Sequence, residues 1–546
     1  MRSAVIGSSD SCALAPAVAP AALASHEAAH RADAAAHDTE PPSGGGGGAN
    51  TMCWRVVLVA AFGWMAACAD GGAEGALADA GSGASDAVAD APRGDAAPTA
   101  DVPRGGLRVA RATAIPTCTL HVDAAQAGAA DGSAKSPHPT ITAAITAAPS
   151  GAVICVAEGT YPEKLAPGTK SLTLAGGFRS GQGFQDRDSA LYVSRALGDG
   201  TGAFFEVRDE APTGDQRTVI DGFEITGYAQ GVVRVHWASQ RFDLTNNHIH
   251  GNHCAPGLVG GGFALSNVSG AIRGNVIAGN SCGRGGGGAL DDGTASNEVT
   301  VADNWIDANA GDEPQTSHGG GLYLFCADLT VTGNLFTDNT VTAWGAGLYV
   351  GAMVGQGQHT TARLSGNVYR GNRAEVAGGG FFCDDAATCI ASHEIYDSNC
   401  GGNVYLDAGS DPAAPTVSTF DHVTIYGALA AGCGAPGPGV QIDQANAAPD
   451  SHTFTNAIFW GNAEGADLST SCQAASCPAE VTVTWSDVQS ATVDNGITVT
   501  FGAGNLPGVD PLFVDAAAHD FRLLPGSPAL GAAEDGSDLG AHGGAP

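Results

Sequence analysis

Three groups of side chains in this chain carry the chemistry of a catalytic or metal site. Two carboxylate pairs, Asp291-Asp292 and Asp384-Asp385, each follow a glycine run. Paired carboxyls run glycoside hydrolysis, one as acid and one as base or nucleophile, when they stand about 5–9.5 Å apart. Asp303, Asp307 and Asp338, with Arg363 or Arg370 as basic partner, form an oxygen-rich set of the kind that suits calcium. His26-Glu27-Ala28-Ala29-His30 has zinc-protease spacing, two His four apart with Glu as base. It lies in an Ala-rich stretch with nothing to fold a third ligand into place, and is read as chance. No P-loop or calcium-binding nonapeptide array occurs.

Whether these acids cooperate depends on the elements that carry them. Five segments read as one unit: Asn247-His-Ile-His-Gly-Asn252, Asn275-Val-Ile-Ala-Gly-Asn280, Asn304-Trp-Ile-Asp-Ala-Asn309, Asn334-Leu-Phe-Thr-Asp-Asn339 and Asn367-Val-Tyr-Arg-Gly-Asn372. The first Asn recurs after 28, 29, 30 and 33 residues. Such a period signals a solenoid with one coil per repeat. Leu244, Ile272, Val301, Val331 and Leu364 stand three before each first Asn, in approaches that alternate like half-buried strands. Ile395-Tyr396, Ile425-Tyr426 and Ile458-Phe459 continue the pattern without the first Asn. Glycine runs at 260–262, 286–288 and 319–321, Gly345-Ala-Gly347 and a run at 378–380 mark sharp corners, because Gly takes φ > 0 without strain. The pattern predicts a β-solenoid of parallel, in-register strands. Asn252, Asn280, Asn309, Asn339 and Asn372 should stack in one line and bond along it. About ten coils are expected, at roughly 4.8 Å each. The two carboxylate pairs then lie three coils, or roughly 14 Å, apart, too far to form one acid/base pair. Solvated turns are their expected role.

Net charge is −33, from 56 acidic and 23 basic residues. A chain this acidic repels phosphate backbones, so nucleic acid is not an expected partner. Met52-Cys-Trp-Arg55 followed by an apolar run to Met65 and by Ala66-Ala67-Cys68 reads as a signal peptide ending in a lipobox-like site. Met65 stands where Leu is usual. Cys68 is the expected lipid-attachment residue, with the membrane as partner through that anchor. Residues 1–51 carry no fold pattern and read as a leader ahead of the true start at Met52. An Ala-x-Ala cleavage giving a soluble secreted protein is the alternative. Residues 69–115, mixed Ala, Gly, Asp and Pro, have the composition of a disordered linker. Arg93-Gly94-Asp95 within it is read as chance.

Eleven further Cys suit an oxidising compartment. Cys254 and Cys282 follow equivalent Asn residues by two positions, so one coil spacing puts them within disulfide range. Cys472–Cys477, Cys383–Cys389 and Cys400–Cys433 are local pairs, leaving Cys326 over. Zinc is disfavoured, since no Cys-x-x-Cys occurs.

From about Thr117 onward the chain resembles bacterial secreted right-handed parallel β-helix proteins of the pectin-lyase-like superfamily. Three pieces carry the resemblance: His121-Val-Asp-Ala with Ile141-Thr-Ala-Ala-Ile145 and Val153-Ile-Cys-Val-Ala-Glu-Gly-Thr-Tyr161; the Asn repeat; and the tail with Asp510-Pro-Leu-Phe-Val, Pro525-Gly-Ser-Pro-Ala529 and Asp538-Leu-Gly-Ala541. That tail is similar to the end of choice-of-anchor Q domain proteins. The resemblance implies an all-β, right-handed parallel β-helix over 116–510, a short N-terminal capping helix near 139–149 and a capping tail over 511–546. Cys118 and Cys155 fall on the two opening strands, a second disulfide candidate. The superfamily includes pectate lyases and polygalacturonases. His318 before Gly319 resembles the Gly-His-Gly of the latter, but their Arg-x-Lys is missing. A superfold of this kind does not fix activity. The reading taken is a non-catalytic cell-envelope lipoprotein that displays a β-helix for surface structure or for binding glycan or protein. The alternative is a lyase or hydrolase of an acidic glycan with a diverged site. No cofactor is expected, calcium being the metal the acidic set would suit.

Overall fold

The computed structural model describes residues 111–542, except 209–216, 237–240, 292–296, 314–316, 326–327, 353–358, 385, 408–413, 430–436, 445–446, 463–465 and 495. The signal-like segment with Cys68, the linker as far as residue 110, Asp292, Cys326, Asp385 and Cys433 therefore lie outside the described residues. The fold is a right-handed parallel β-helix. Three long parallel sheets of 14, 12 and 11 strands run side by side, and each coil away from the two ends contributes one strand to each. A short fourth sheet of four strands joins the second and third over the coils that begin at Ser281, Ala310, Thr340 and Arg373. Register is in phase from coil to coil: Leu244 pairs with Ile272, Ile272 with Val301, Val301 with Val331 and Val331 with Leu364. Fourteen strands in the first sheet exceed the expected ten or so coils. The surplus lies at the two ends, outside the Asn-x-x-x-x-Asn repeat.

The repeat motif is explained by two corners per coil. The residue before each first Asn is left-handed: Asn246, Gly274, Asp303, Gly333 and Gly366 all have φ between 53° and 66°. So is the residue before each second Asn: Gly251, Gly279, Ala308, Asp338 and Gly371. Gly, Asn and Asp tolerate this region best, which accounts for the composition of these positions. Between the corners sits a three-residue strand of the second sheet. Its central side chain alone points inward, giving the fully buried column Ile249, Ile277, Ile306, Phe336, Tyr369, Tyr396, Ile425 and Phe459.

Both corners carry an amide ladder. Asn252, Asn280, Asn309, Asn339 and Asn372 bond in series at 2.9–3.0 Å, and the line runs on through Asn399, Asn403 and Asn462 to Asp467. The first-Asn column forms a second ladder, Asn247, Asn275, Asn304, Asn334, Asn367, ending on Glu394. Each amide Nδ2 also donates to a backbone carbonyl one coil back, as Asn309 does to Ile277 O at 2.8 Å. Each Oδ1 accepts the backbone N–H of the preceding ladder residue. Every polar atom of these buried amides is thereby used, as burial demands.

The glycine runs need a correction. Positive φ falls only on Gly260, Gly319, Gly345 and Gly378 at the head of their runs and on Gly285 just before the run at 286–288. The later ones are glycine because coils touch there: a Cβ on Gly287 would lie 2.5 Å from Gly321 O, and one on Gly347 2.5 Å from Gly380 O.

The two ends differ. At the N-terminal end helix Ile141–Ala147 lays Ile141, Ala144 and Ile145 over the core. Glu163 accepts from the N–H groups of Ile141 and Thr142, and Lys170 Nζ donates to the carbonyls of Ile145 and Thr146. Both charges match the helix dipole. The tail does not cover the opposite end, contrary to the capping role expected of 511–546. Its hairpin, Phe513–Asp515 with Asp520–Leu523, folds back along the outer face of the second sheet. That face is apolar at Val368, Ile395, Tyr426, Ile458 and Trp460. Phe513, Phe521, Leu523, Leu539 and Ala541 take it out of water. Burial of this stripe outweighs covering a strand edge.

Four disulfides link described residues: Cys118–Cys155, Cys254–Cys282, Cys383–Cys389 and Cys472–Cys477, with Cα separations of 5.7, 5.0, 6.6 and 5.9 Å. Cys254–Cys282 joins adjacent coils. Cys400 is also disulfide-bonded.

Candidate functional site

Two outer faces of the solenoid hold the acids singled out in the sequence. The first is the outside of the third sheet. Alternation along Leu322–Phe325 sends Leu322 and Leu324 inward and Tyr323 and Phe325 outward. Parallel register then stacks Tyr323, Tyr349, Phe382 and Tyr405, with ring centroids 5.3, 5.2 and 4.7 Å apart. His318 lies flat on Trp344 at 5.1 Å and, with Val259 and Val376, covers this stack. The His318-Gly319 pair is thus part of a buried aromatic layer. Asp384 is fully buried and accepts from the Tyr349 hydroxyl, which corrects the solvated-turn reading for that residue. Tyr405 donates in the same way to Asp443, the register partner of Asp407. Burial pushes the Asp443 carboxyl above the ordinary range, against the Tyr405 and Gln441 hydrogen bonds.

The second face, the outside of the second sheet, is half-exposed. One column across its coils reads His248, Val276, Trp305, Leu335, Val368. The column beside it reads His250, Ala278, Asp307, Thr337, Arg370, Asp397. Trp305 Nε1 donates to Thr337 Oγ1 at 2.8 Å, and Thr337 donates to Asp307 Oδ1 at 2.5 Å. Arg370 Nε donates to Asp397 Oδ2 at 2.9 Å, and His519 Nδ1 of the tail lies 2.6 Å from the same oxygen. Burial raises the Asp338 carboxyl, the charge of Asp307 adds to this, and Arg370 opposes both. At the N-terminal end Glu224 sits between Arg195 at 2.9 Å and His250 at 3.1 Å. Burial alone would raise Glu224, but its two partners outweigh burial and hold it below its ordinary value.

Of the proposed calcium set, the fold brings Asp307, Asp338 and Arg370 to neighbouring coils of this face. Asp303 sits at the preceding corner, 3.6 Å from Arg273, and Arg363 belongs to the first sheet. Among the described residues no group of three or more His, Cys, Asp or Glu is placed to hold a metal ion. Trp305 and Thr337 were missed by the sequence reading. The signal available was a single Trp in a column otherwise filled by His, Val and Leu.

A family profile described as protein of unknown function (DUF1565) matches residues 125–373. No curated protein matches the chain. Among solved structures, a complex of XylC with xylose is similar over 72% of this chain and 87% of its own, at 11% identity and a TM-score of 0.36. Pectate lyase Pel9A is similar over 78% and 96%, at 13% identity and a TM-score of 0.33. An endo-xylogalacturonan hydrolase from Aspergillus tubingensis is similar over 78% and 99%, at 15% identity and a TM-score of 0.28.

Proposed function

We propose that the protein is a non-catalytic, lipid-anchored protein of the cell envelope whose β-helix presents the outer face of its second sheet to a glycan. The observation that carries this reading is the Trp305 platform. Its indole is pinned by Thr337 and Asp307, so a flat apolar surface flanked by fixed polar groups is ready before a ligand arrives. Pinned aromatic surface with a few placed hydrogen-bonding groups is what orients a sugar ring at low ordering cost. Asp307 and Asp338 on the same face favour a neutral glycan over a uronate, because like charges repel. Three other carboxylates of the two outer faces are engaged structurally: Asp397 with Arg370, Asp384 with Tyr349 and Asp443 with Tyr405.

On a glycan array the full chain should retain neutral oligosaccharides, and Trp305→Ala should weaken binding by about tenfold or more, or roughly 1.4 kcal/mol, without altering the melting curve. Unchanged binding by Trp305→Ala would remove the platform from the account. The anchor rests on the Met52–Cys68 sequence. Mass spectrometry of the membrane fraction should find an acylated Cys68 at the mature N terminus. A peptide from residues 1–51 in the mature protein would contradict both the start at Met52 and the anchor.

A further inference from the structure

The C-terminal end of the first sheet stops at strand Thr498–Phe501, and among the described residues nothing pairs with its outer side. Parallel pairing to Glu480–Thr484 uses the N–H groups of alternate residues. Thr498 N donates to Ala479 O and Gly502 N to Val483 O. By that alternation Val499 and Phe501 turn their own N–H and C=O groups to the open edge. Their side chains continue the inward column of Val481 and Val483, so the core itself is open here, and Phe501 is 47% exposed. Ile497-Thr-Val-Thr-Phe501 has no charge, no Pro and high β-propensity. Edges that stay free are normally blunted by Lys, Pro or a bulge. The other end of the same solenoid is closed by its helix, and the tail that would close this one lies on the flank instead.

We propose that a second copy of the chain closes this end, the two Thr498–Phe501 strands pairing antiparallel about a two-fold axis at Thr500. The strand is self-complementary in that register. Val499 meets Phe501 of the second copy, and Phe501 meets its Val499, in two hydrogen-bonded pairs that use the outward N–H and C=O groups identified above. Both residues lie on the core side, so the pairing also joins two open cores. Thr500 faces its own counterpart across a non-hydrogen-bonded pair, with Cα atoms about 4.5 Å apart. That distance fits a disulfide.

The test uses the full chain. Sedimentation equilibrium should show a monomer–dimer equilibrium. Phe501→Lys should raise its midpoint concentration by about tenfold or more. Thr500→Cys should cross-link to a covalent dimer under mild oxidation, whereas Thr482→Cys, one strand inside the sheet, should not. Hydrogen exchange in the unmodified protein should show Val499 and Phe501 amides protected at high concentration and open at low. A chain monomeric throughout, with those amides always open, overturns the proposal. So does a dimer that Phe501→Lys leaves intact, or cross-linking of the two Cys variants to equal extent.

Discussion

Replacing Asn309 with Leu should destabilise the solenoid by on the order of 2–6 kcal/mol, the largest single-residue loss expected outside the core. The side chain is fully buried, and its Oδ1 accepts from both the backbone N–H and Nδ2 of Asn280. Its own Nδ2 donates to Ile277 O and to Asn339 Oδ1. Leu would leave the Asn280 N–H and one Asn280 Nδ2 proton buried without partners, at roughly 1–3 kcal/mol each, and would take from the Ile277 carbonyl the second of its donors. Coils are stabilised by their neighbours, so the damage should be local. Exchange protection should fall first in the coils spanning 275–345, well before those near 120–180 or 440–485. A uniform loss along the chain, or none, would show that the ladder is incidental to stability.

A pH dependence centred on Glu394 is the second large effect. Its carboxyl closes the first-Asn ladder, accepting from Asn367 N and Nδ2 at 3.0 Å, and is fully buried. Burial outweighs those bonds and pushes it up to about 8, from an ordinary value of 4.5. Burial first and this carboxylate second hold the neighbouring Tyr369 and Tyr396 phenols well above their ordinary value. The folded state therefore holds the proton more tightly than the unfolded one. The stability this supplies is complete below pH 4.5, falls as pH rises toward 8 and is gone above it. The full swing is on the order of 4–5 kcal/mol. Asp450, raised to about 7 by burial, and Asp487, raised to about 6, act in the same direction. His452, lowered to about 4 by burial, acts oppositely, its neutral form losing ground as pH falls from 6.5 toward 4. Glu394→Gln keeps an acceptor for Asn367 and carries no titrating proton. Urea unfolding from pH 5 to 9 should give a shallower decline for Glu394→Gln than for wild type, with the mutant the more stable at pH 9. Parallel curves would mean that Glu394 is ionised throughout.

The coil, its period and the Asn column were legible because each rests on local backbone chemistry repeated at a fixed interval. A left-handed corner wants Gly, Asn or Asp, and a three-residue strand wants one apolar residue inward. The first-Asn ladder was equally regular but went unread. Its Asn looked like a turn former, and nothing in the sequence says that its amide reaches the next coil. Glu394 and Asp467 as ladder ends were illegible for another reason. A buried acid has the same letter as a surface one, and only the coil stack places each below the last amide. The tail was expected to cap because an open solenoid end invites a cover, while the stripe it does cover is spread over four coils, at Val368, Ile395, Tyr426 and Ile458. The site was less legible still. Asp384 stood out as half of an acid pair, but the tyrosine that bonds it comes from 35 residues earlier.

On this reading the second sheet's outer face binds glycan and does not react with it. The most direct measurement incubates the full chain, with and without calcium, with neutral glycans that it retains and with uronate-rich glycans, then assays for new reducing ends and unsaturated uronides. Neutral glycan should be retained, and neither class should yield product. Product released by wild type and abolished by Asp338→Asn would contradict this reading and establish the second sheet's outer face as an active site.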